Sequence, residues 1–417
     1  MTGRGTIEAS SSTGESAPAI NLLDPEWYVD PFDAYRWLRD HSPVHWDPVQ
    51  RIWGISRYSD VVRVERDTAR YTSSDGSRPH TDQRADTSMI NKDDPEHMTQ
   101  RKLVAHRFMP RSVRGHEEWV RSIVTELIDD VASRGECEAV EELASRLPAK
   151  VIGRLLGYSP EKWPLVRKWS EQTMYQAGQT PADGRLLEPN DQMSDAMIEF
   201  ATETLQVVAD RRANPVDDLI SVWTHSEVDG RPWTDHEVLA ETILVLDGGA
   251  ETTRTVIGSI IVELARRPEE RQRLLDDPVL LKRAAVEEFI RWVSPISNMR
   301  RTVTEDHELE GQSLHEGDEL LLLYGSANRD DRVFDDPEHF DVGRAGEHHV
   351  AFGFGTHFCL GATLARLEIR VMFEELLRRI PDWRLAPGAE PHILPATFAR
   401  SYAAVPIEFT PERASAG

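Results

Sequence analysis

Apolar residues recur at helical spacing over residues 31–38, and short alternating runs follow at 44–46 and 52–55, which predicts a helix and then an early β-hairpin. Residues 71–94 are polar and lack periodicity, the pattern of a binding loop or an unordered one. From Arg101 to Arg291 helical spacing dominates. One stretch stands apart, because Thr234-Asp235-His236-Glu237 has the form of a capping box and Pro268 supplies a stop. Between them lie about 33 residues, a rod of about 50 Å. Beyond Arg301 the alternating runs 308–314 and 319–324, broken by Gly311 and Gly317, read as hairpins. There is no internal repeat and no mid-chain linker. The expectation is a mainly α domain with a minor β region over residues 21–411, with polar, flexible tails at 1–20 and 412–417.

Charge narrows the partners. With 48 basic against 72 acidic side chains the net charge is -24, a field that repels phosphate backbones and anionic lipid. Nucleic acid is therefore an unfavourable partner. The longest apolar runs fall far short of the ~20 residues of a membrane span, and the N-terminus lacks the apolar core of a signal peptide. Two cysteines, Cys137 and Cys359, are too few for a disulfide framework. A cytoplasmic protein without a membrane span is expected.

The most informative chemistry lies in Phe352-Gly353-Phe354-Gly355-Thr356-His357-Phe358-Cys359-Leu360-Gly361, which a helical pattern follows. A lone cysteine is most often a small buried hydrophobe. Here it stands on a glycine-rich loop that opens a helix, where free N–H groups and the helix dipole favour a thiolate. The pattern Phe352-x-x-Gly355-x-x-x-Cys359-x-Gly361 resembles the haem-binding signature of the cytochrome P450 superfamily. The resemblance implies the cytochrome P450 fold, a long central helix over haem b, and Cys359 as axial ligand of the iron. Thiolate ligation favours O–O cleavage.

Other segments extend the resemblance. Gly248-Gly249-Ala250-Glu251-Thr252-Thr253 weakens the middle of the long helix, since each glycine costs roughly 1 kcal/mol relative to alanine there. By itself this is a packing notch; the resemblance makes it an oxygen-binding groove, with Thr252 in the hydroxyl role and Glu251 in the acid role of proton delivery. Glu288 and Arg291 match the family's E-x-x-R element, and with Arg344 they are expected to form a buried structural ion network. His97, Arg101, Arg301 and His357 are expected to hold the haem propionates, with Phe352, Gly353 and Gly361 shaping the cofactor loop. His348 and His349, adjacent on an extended segment, point to opposite faces and are read as structural.

Loop residues 80–91, with Val245, Leu246, Gly248, Ile296, Met299 and Phe398, are expected to line a mostly apolar substrate pocket. The resemblance implies a monooxygenase that inserts one atom of O2 into a hydrophobic small molecule. Its details are most similar to actinobacterial enzymes that hydroxylate the terminal methyl of a cholesterol or cholestenone side chain. Nothing in the chain resembles a flavin or nicotinamide site, so a separate ferredoxin and NAD(P)H-dependent ferredoxin reductase are implied. Arg107, Arg111, Arg114, Arg366 and Arg370 are the docking candidates. The alternatives are a hydroxylase of a polyketide or terpenoid, a peroxide-using relative, which the pair Glu251-Thr252 argues against, and a non-catalytic haem-binding protein.

Overall fold

The predicted rod is the helix Asp235–Arg266, 32 residues long in the computed structural model, which describes residues 17–80, 86–176, 195–228, 230–344 and 348–412. The Thr234 hydroxyl accepts from the Glu237 N–H, and the Glu237 carboxylate accepts from the Thr234 N–H at 2.8 Å. These reciprocal bonds satisfy donors that a helix start leaves open. From Ala250 to Val262 every residue except Thr252 is buried, so this helix needs no polar face. Around it pack the helices Arg146–Leu156, Trp163–Gln176, Asp195–Ala213, Val286–Val293 and Ala362–Arg379. Trp383, fully buried, ties the C-terminal part to it by donating to the Ile261 carbonyl at 3.1 Å.

The β part stands to one side. Val44–Asp47 and Ile52–Ile55 form the expected hairpin, with Val44 opposite Ile55. Residues 307–309 and 312–314 form a second hairpin, turned by Glu310 and Gly311, both at positive φ. The strand Glu319–Leu323 is not half of a hairpin with 308–314, contrary to the sequence pattern. It lies parallel to Ile52–Ile55 and antiparallel to Asn298–Val303 in a five-stranded sheet. Leu320 to Leu323 are buried on both faces, and such a strand belongs in the middle of a sheet.

The expected tails are residues 1–20 and 412–417. Residues 1–16 and 413–417 lie outside the described residues; Ile20 packs against the Leu22, Leu23 and Tyr35 cluster. Glu412 accepts a hydrogen bond from Arg379 at 2.7 Å. Among the described residues no helix is long and apolar enough to cross a membrane.

Candidate active site

A cavity of about 570 Å³ separates the central helix from the loop that carries Cys359. Gly248, Thr252 and Thr253 line one side; Phe352, Cys359 and Gly361 line the other. The cysteine loop holds its shape through glycine. Gly353 and Gly355 both adopt positive φ, and a Cβ on Gly355 would lie 2.6 Å from the Glu65 carbonyl oxygen, a place only glycine fills without strain. Cys359 N–H donates to the Phe352 carbonyl at 2.9 Å, which closes the loop.

The sulfur of Cys359 sits among opposing influences. Burial pushes its thiol up, whereas the N–H groups of Gly361 and Ala362 and the charges of Arg101 and Arg366 pull it down. Burial alone disfavours the thiolate, and a metal ion coordinated by the sulfur would reverse that balance, because metal-bound thiols are deprotonated.

Beside the loop four potentially cationic side chains gather. The His97 and His357 rings lie 4.1 Å apart between centroids, with Arg101 donating to the Phe358 carbonyl at 2.6 Å and Arg301 to the Arg300 carbonyl at 2.8 Å. His357 is driven down to about 3, by burial first and then by Arg301, His97 and Arg101. Its buried Nε2 has no hydrogen-bond partner among the described residues. An anion at this place would satisfy Nε2 and relieve the crowding of positive charge. Added Cβ atoms at Gly248 and Gly361, on opposite sides of the cavity, meet nothing within 4 Å. A flat group with acidic edge substituents therefore fits: Cys359 would ligate it through sulfur, glycine surfaces face the space, and cations stand at the edge.

This geometry, with Cys359 facing the middle of a weakened central helix, is matched by comparison with known proteins. A family model described as "Cytochrome P450" matches residues 185–400, and the steroid C26-monooxygenase of Mycobacterium tuberculosis is 40% identical over 399 residues, 95% of this chain and 98% of that protein. The chain belongs to the cytochrome P450 family. Among solved structures, a cytochrome P450 of Mycobacterium marinum in complex with pseudoionone superposes with a TM-score of 0.85 at 29% identity, covering 95% of this chain and 100% of that one. One from Bacillus megaterium in complex with testosterone gives 0.81 at 30% identity, covering 92% and 99%. This cytochrome P450 is accordingly a monooxygenase with the cytochrome P450 fold and a haem b cofactor.

In this cytochrome P450 the expected site residues separate into those that reach the cavity and those that do not. Thr252, His97, Arg101, Arg301, His357, Phe352, Gly353 and Gly361 line it, as do Val245, Gly248, Ile296, Met299 and Phe398. Leu246 does not: it is fully buried in the core, because neighbouring residues on a helix point about 100° apart. Glu251 also points away. Its carboxylate pairs with Arg254 at 2.7 Å and accepts from Ser170 at 3.2 Å, and burial holds its pKa above the ordinary carboxylate range. The Thr252 hydroxyl donates to the Gly248 carbonyl at 2.8 Å, so its lone pairs remain for the cavity. Of loop 80–91, residues 81–85 lie outside the described residues; Asp86, Ser88, Met89 and Ile90 line the cavity, whereas His80 turns away to Glu319 at 3.3 Å.

Glu288 and Arg291 meet at 2.6 Å and are almost fully buried, with Arg344 3.1 Å from the same carboxylate. Arg291 also donates to the carbonyls of Asn328 and Pro337, pinning the segment that leads to Cys359. His349 is buried 3.3 Å from Glu287, and no cluster of metal-ligating residues occurs among the described residues.

Among the cavity residues that carry no motif and escaped the sequence reading, four are acidic or basic. Glu65 accepts from the Tyr324 hydroxyl at 2.6 Å, and its pKa is raised to about 7 by burial against the pull of Arg301. Glu368, nine residues beyond Cys359, is buried with Oε2 lacking a partner among the described residues. Arg78 lies over the Phe398 ring at 3.2 Å. Asp247 accepts from the Thr173 hydroxyl. Only Asp247 had a signal, as a single charge in the apolar run Leu244-Val245-Leu246-Asp247 just before the glycine pair.

Proposed function

We propose that this cytochrome P450 hydroxylates the terminal methyl of a steroid side chain, with electrons from a ferredoxin and its NAD(P)H-dependent reductase. The observation that carries the reading is the 40% identity, over nearly the whole of both chains, to a protein named steroid C26-monooxygenase. The cavity agrees, since its wall is predominantly apolar, with Leu244, Val245, Ile296, Met299 and Phe398 among the lining residues.

Thiolate-ligated haem supplies dioxygen activation. The chain's own residues do the rest. Cys359 would supply the sulfur that ligates the iron, and His97, Arg101, Arg301 and His357 would hold the propionates. Gly248 leaves room beside the helix, because it carries no side chain where the wall is open. Thr252, its proton committed to the Gly248 carbonyl, offers hydroxyl lone pairs that accept from a water in the cavity and orient it. Glu251 reaches that water only by leaving Arg254 and Ser170, so proton delivery from this acid includes a side-chain rearrangement. Glu288, Arg291 and Arg344 act on the site through the backbone they hold.

Electron delivery needs a docking face on the Cys359 side. Arg366 forms two hydrogen bonds to Glu287, Arg370 pairs with Glu117 and Glu374, and Arg107 pairs with Asp217. Paired arginines attract an acidic partner less than their number suggests. Arg111 and Arg114 have no ion pair among the described residues, and the docking role is assigned to them. A terpenoid or polyketide substrate is the second reading, favoured by the charged residues Arg78 and Asp247 in the cavity wall.

The test joins two spectra and a product. The reduced carbon monoxide complex should show the strongly red-shifted band of thiolate ligation, and Cys359→His should lose it. Titration of the ferric protein with cholestenone should move the iron from low to high spin, and turnover with surrogate redox partners should give the terminal alcohol. A thiolate band without a steroid response would transfer the assignment to the terpenoid or polyketide reading.

A further inference from the structure

Away from the cofactor edge the predominantly apolar cavity wall carries a patch formed by Asp247, Thr173 and Arg78. On the central helix, Asp247 faces the space with one carboxylate oxygen bound by the Thr173 hydroxyl. Its other oxygen, Oδ2, makes no hydrogen bond among the described residues. Thr173 lines the cavity too, and its hydroxyl is held in place by the Trp169 carbonyl at 2.9 Å. In the same wall the Arg78 guanidinium lies over the Phe398 ring, with its carbon 3.2 Å from the ring centroid and one nitrogen 3.7 Å from Met174 Sδ. Burial drives Asp247 up to about 7, and the charge of Arg78 works in the opposite direction, toward the carboxylate.

We propose that Asp247, oriented by Thr173, accepts a hydrogen bond from an uncharged hydroxyl group on the substrate. The inference rests on the reading of this cavity as the substrate chamber of the monooxygenase. A purely hydrocarbon surface laid against Asp247 would leave Oδ2 dry and unsatisfied. A substrate carboxylate is excluded on charge, because Arg78 already faces both Asp247 and Asp86. An alcohol supplies the one thing lacking, a neutral donor.

The position of Asp247 also limits where the hydroxyl is. Asp247 precedes Thr252 by five residues on the same helix, a rise of about 7.5 Å. The hydroxyl is then only a few bonds from the carbon attacked beside Thr252. On a steroid approached through its side chain, that oxygen sits on the side chain itself and not on the far A ring.

The experiment compares matched pairs by ferric spin-state titration of the haem-loaded protein: 22-hydroxycholesterol with cholesterol, and nerolidol with farnesene. The wild-type protein should bind the hydroxylated member of at least one pair on the order of tenfold more tightly. Asp247→Leu should abolish that preference while leaving the deoxygenated partner bound as well or better. Thr173→Val should weaken the preference in the same direction and stands in if Asp247→Leu does not incorporate haem. No preference in either pair, or a preference that survives Asp247→Leu or its stand-in, overturns the inference. The two proposals fail separately. A preference confined to the terpene pair, with no steroid response, removes the steroid assignment and keeps the hydroxyl contact; a cholestenone response with no discrimination in either pair does the reverse.

Discussion

At the scale of single residues, the site depends on side chains whose ordinary chemistry burial has altered. Thr252, the one residue from Ala250 to Val262 that is not buried, turns its hydroxyl into the cavity beside the glycine pair. Thr252→Ala should leave substrate-induced spin shifts intact while diverting electrons to peroxide or water, measured as NAD(P)H consumed per product formed. Fully coupled turnover in that variant would remove Thr252 from proton handling. Glu241 shows what burial does to a carboxyl group in the framework. It is fully buried, accepts from the Met89 N–H at 2.8 Å and has its pKa raised to about 8 by burial. Unfolded, it titrates near 4. The folded chain therefore keeps a proton that the unfolded chain loses, so the stability this group contributes is full below about pH 4 and is lost as pH rises through about 8. Glu241→Gln should match the wild-type Tm at pH 4 and exceed it increasingly at higher pH, on the order of 1 kcal/mol per pH unit up to about pH 8. Parallel Tm curves would show that Glu241 does not titrate in this way.

At the scale of elements, two adjacent glycines do different work. A Cβ on Gly249 would sit 2.2 Å from Ile152 Cδ1, whereas one on Gly248 would meet nothing. Gly249→Ala should cost about 1–3 kcal/mol by overpacking against the helix Arg146–Leu156. Gly248→Ala should stabilise the helix by up to about 1 kcal/mol through propensity, yet narrow the cavity and weaken substrate-induced spin shifts. Chemical denaturation and ferric titration of both variants separate the roles; equal destabilisation by the two would refute the division. The motif Gly248-Gly249 was legible as a weak point in a long helix. Which glycine serves packing and which serves the cavity was not, because that depends on Ile152, almost a hundred residues away in sequence.

At the scale of the whole molecule, the Glu288, Arg291 and Arg344 network joins the helix Val286–Val293 to the segment that carries Cys359. Removing one partner strands a buried charge. Arg291→Ala should lose about 3–5 kcal/mol and haem retention, read as the ratio of Soret to protein absorbance after purification. Normal haem loading with an unchanged Tm would deny the network its structural role. The same scale explains the misread strand. Residues 319–323 carry a run of four leucines that no hairpin turn next to them accounts for, and their partners, Trp53 and Arg301, are distant or separated by a whole hairpin.

What the chain determined by itself is whatever lies within a few residues of contiguous sequence: the capping box at Thr234, the stop at Pro268, the loop that presents Cys359, and the spacing of Glu288 and Arg291. Local backbone preferences and helical periodicity suffice for these, and the resemblance of the Phe352 to Gly361 pattern to the cytochrome P450 signature implied the haem-thiolate class before any fold was known. Tertiary structure decided which way the side chains face and what lies opposite them. It turned Leu246 and Glu251 away from the cavity and put Asp247 into it. It also set Thr173 and Arg78, which no motif marks, against that carboxylate. Facing depends on helix rotation and on contacts between distant segments, and burial then sets the charge state of what is enclosed.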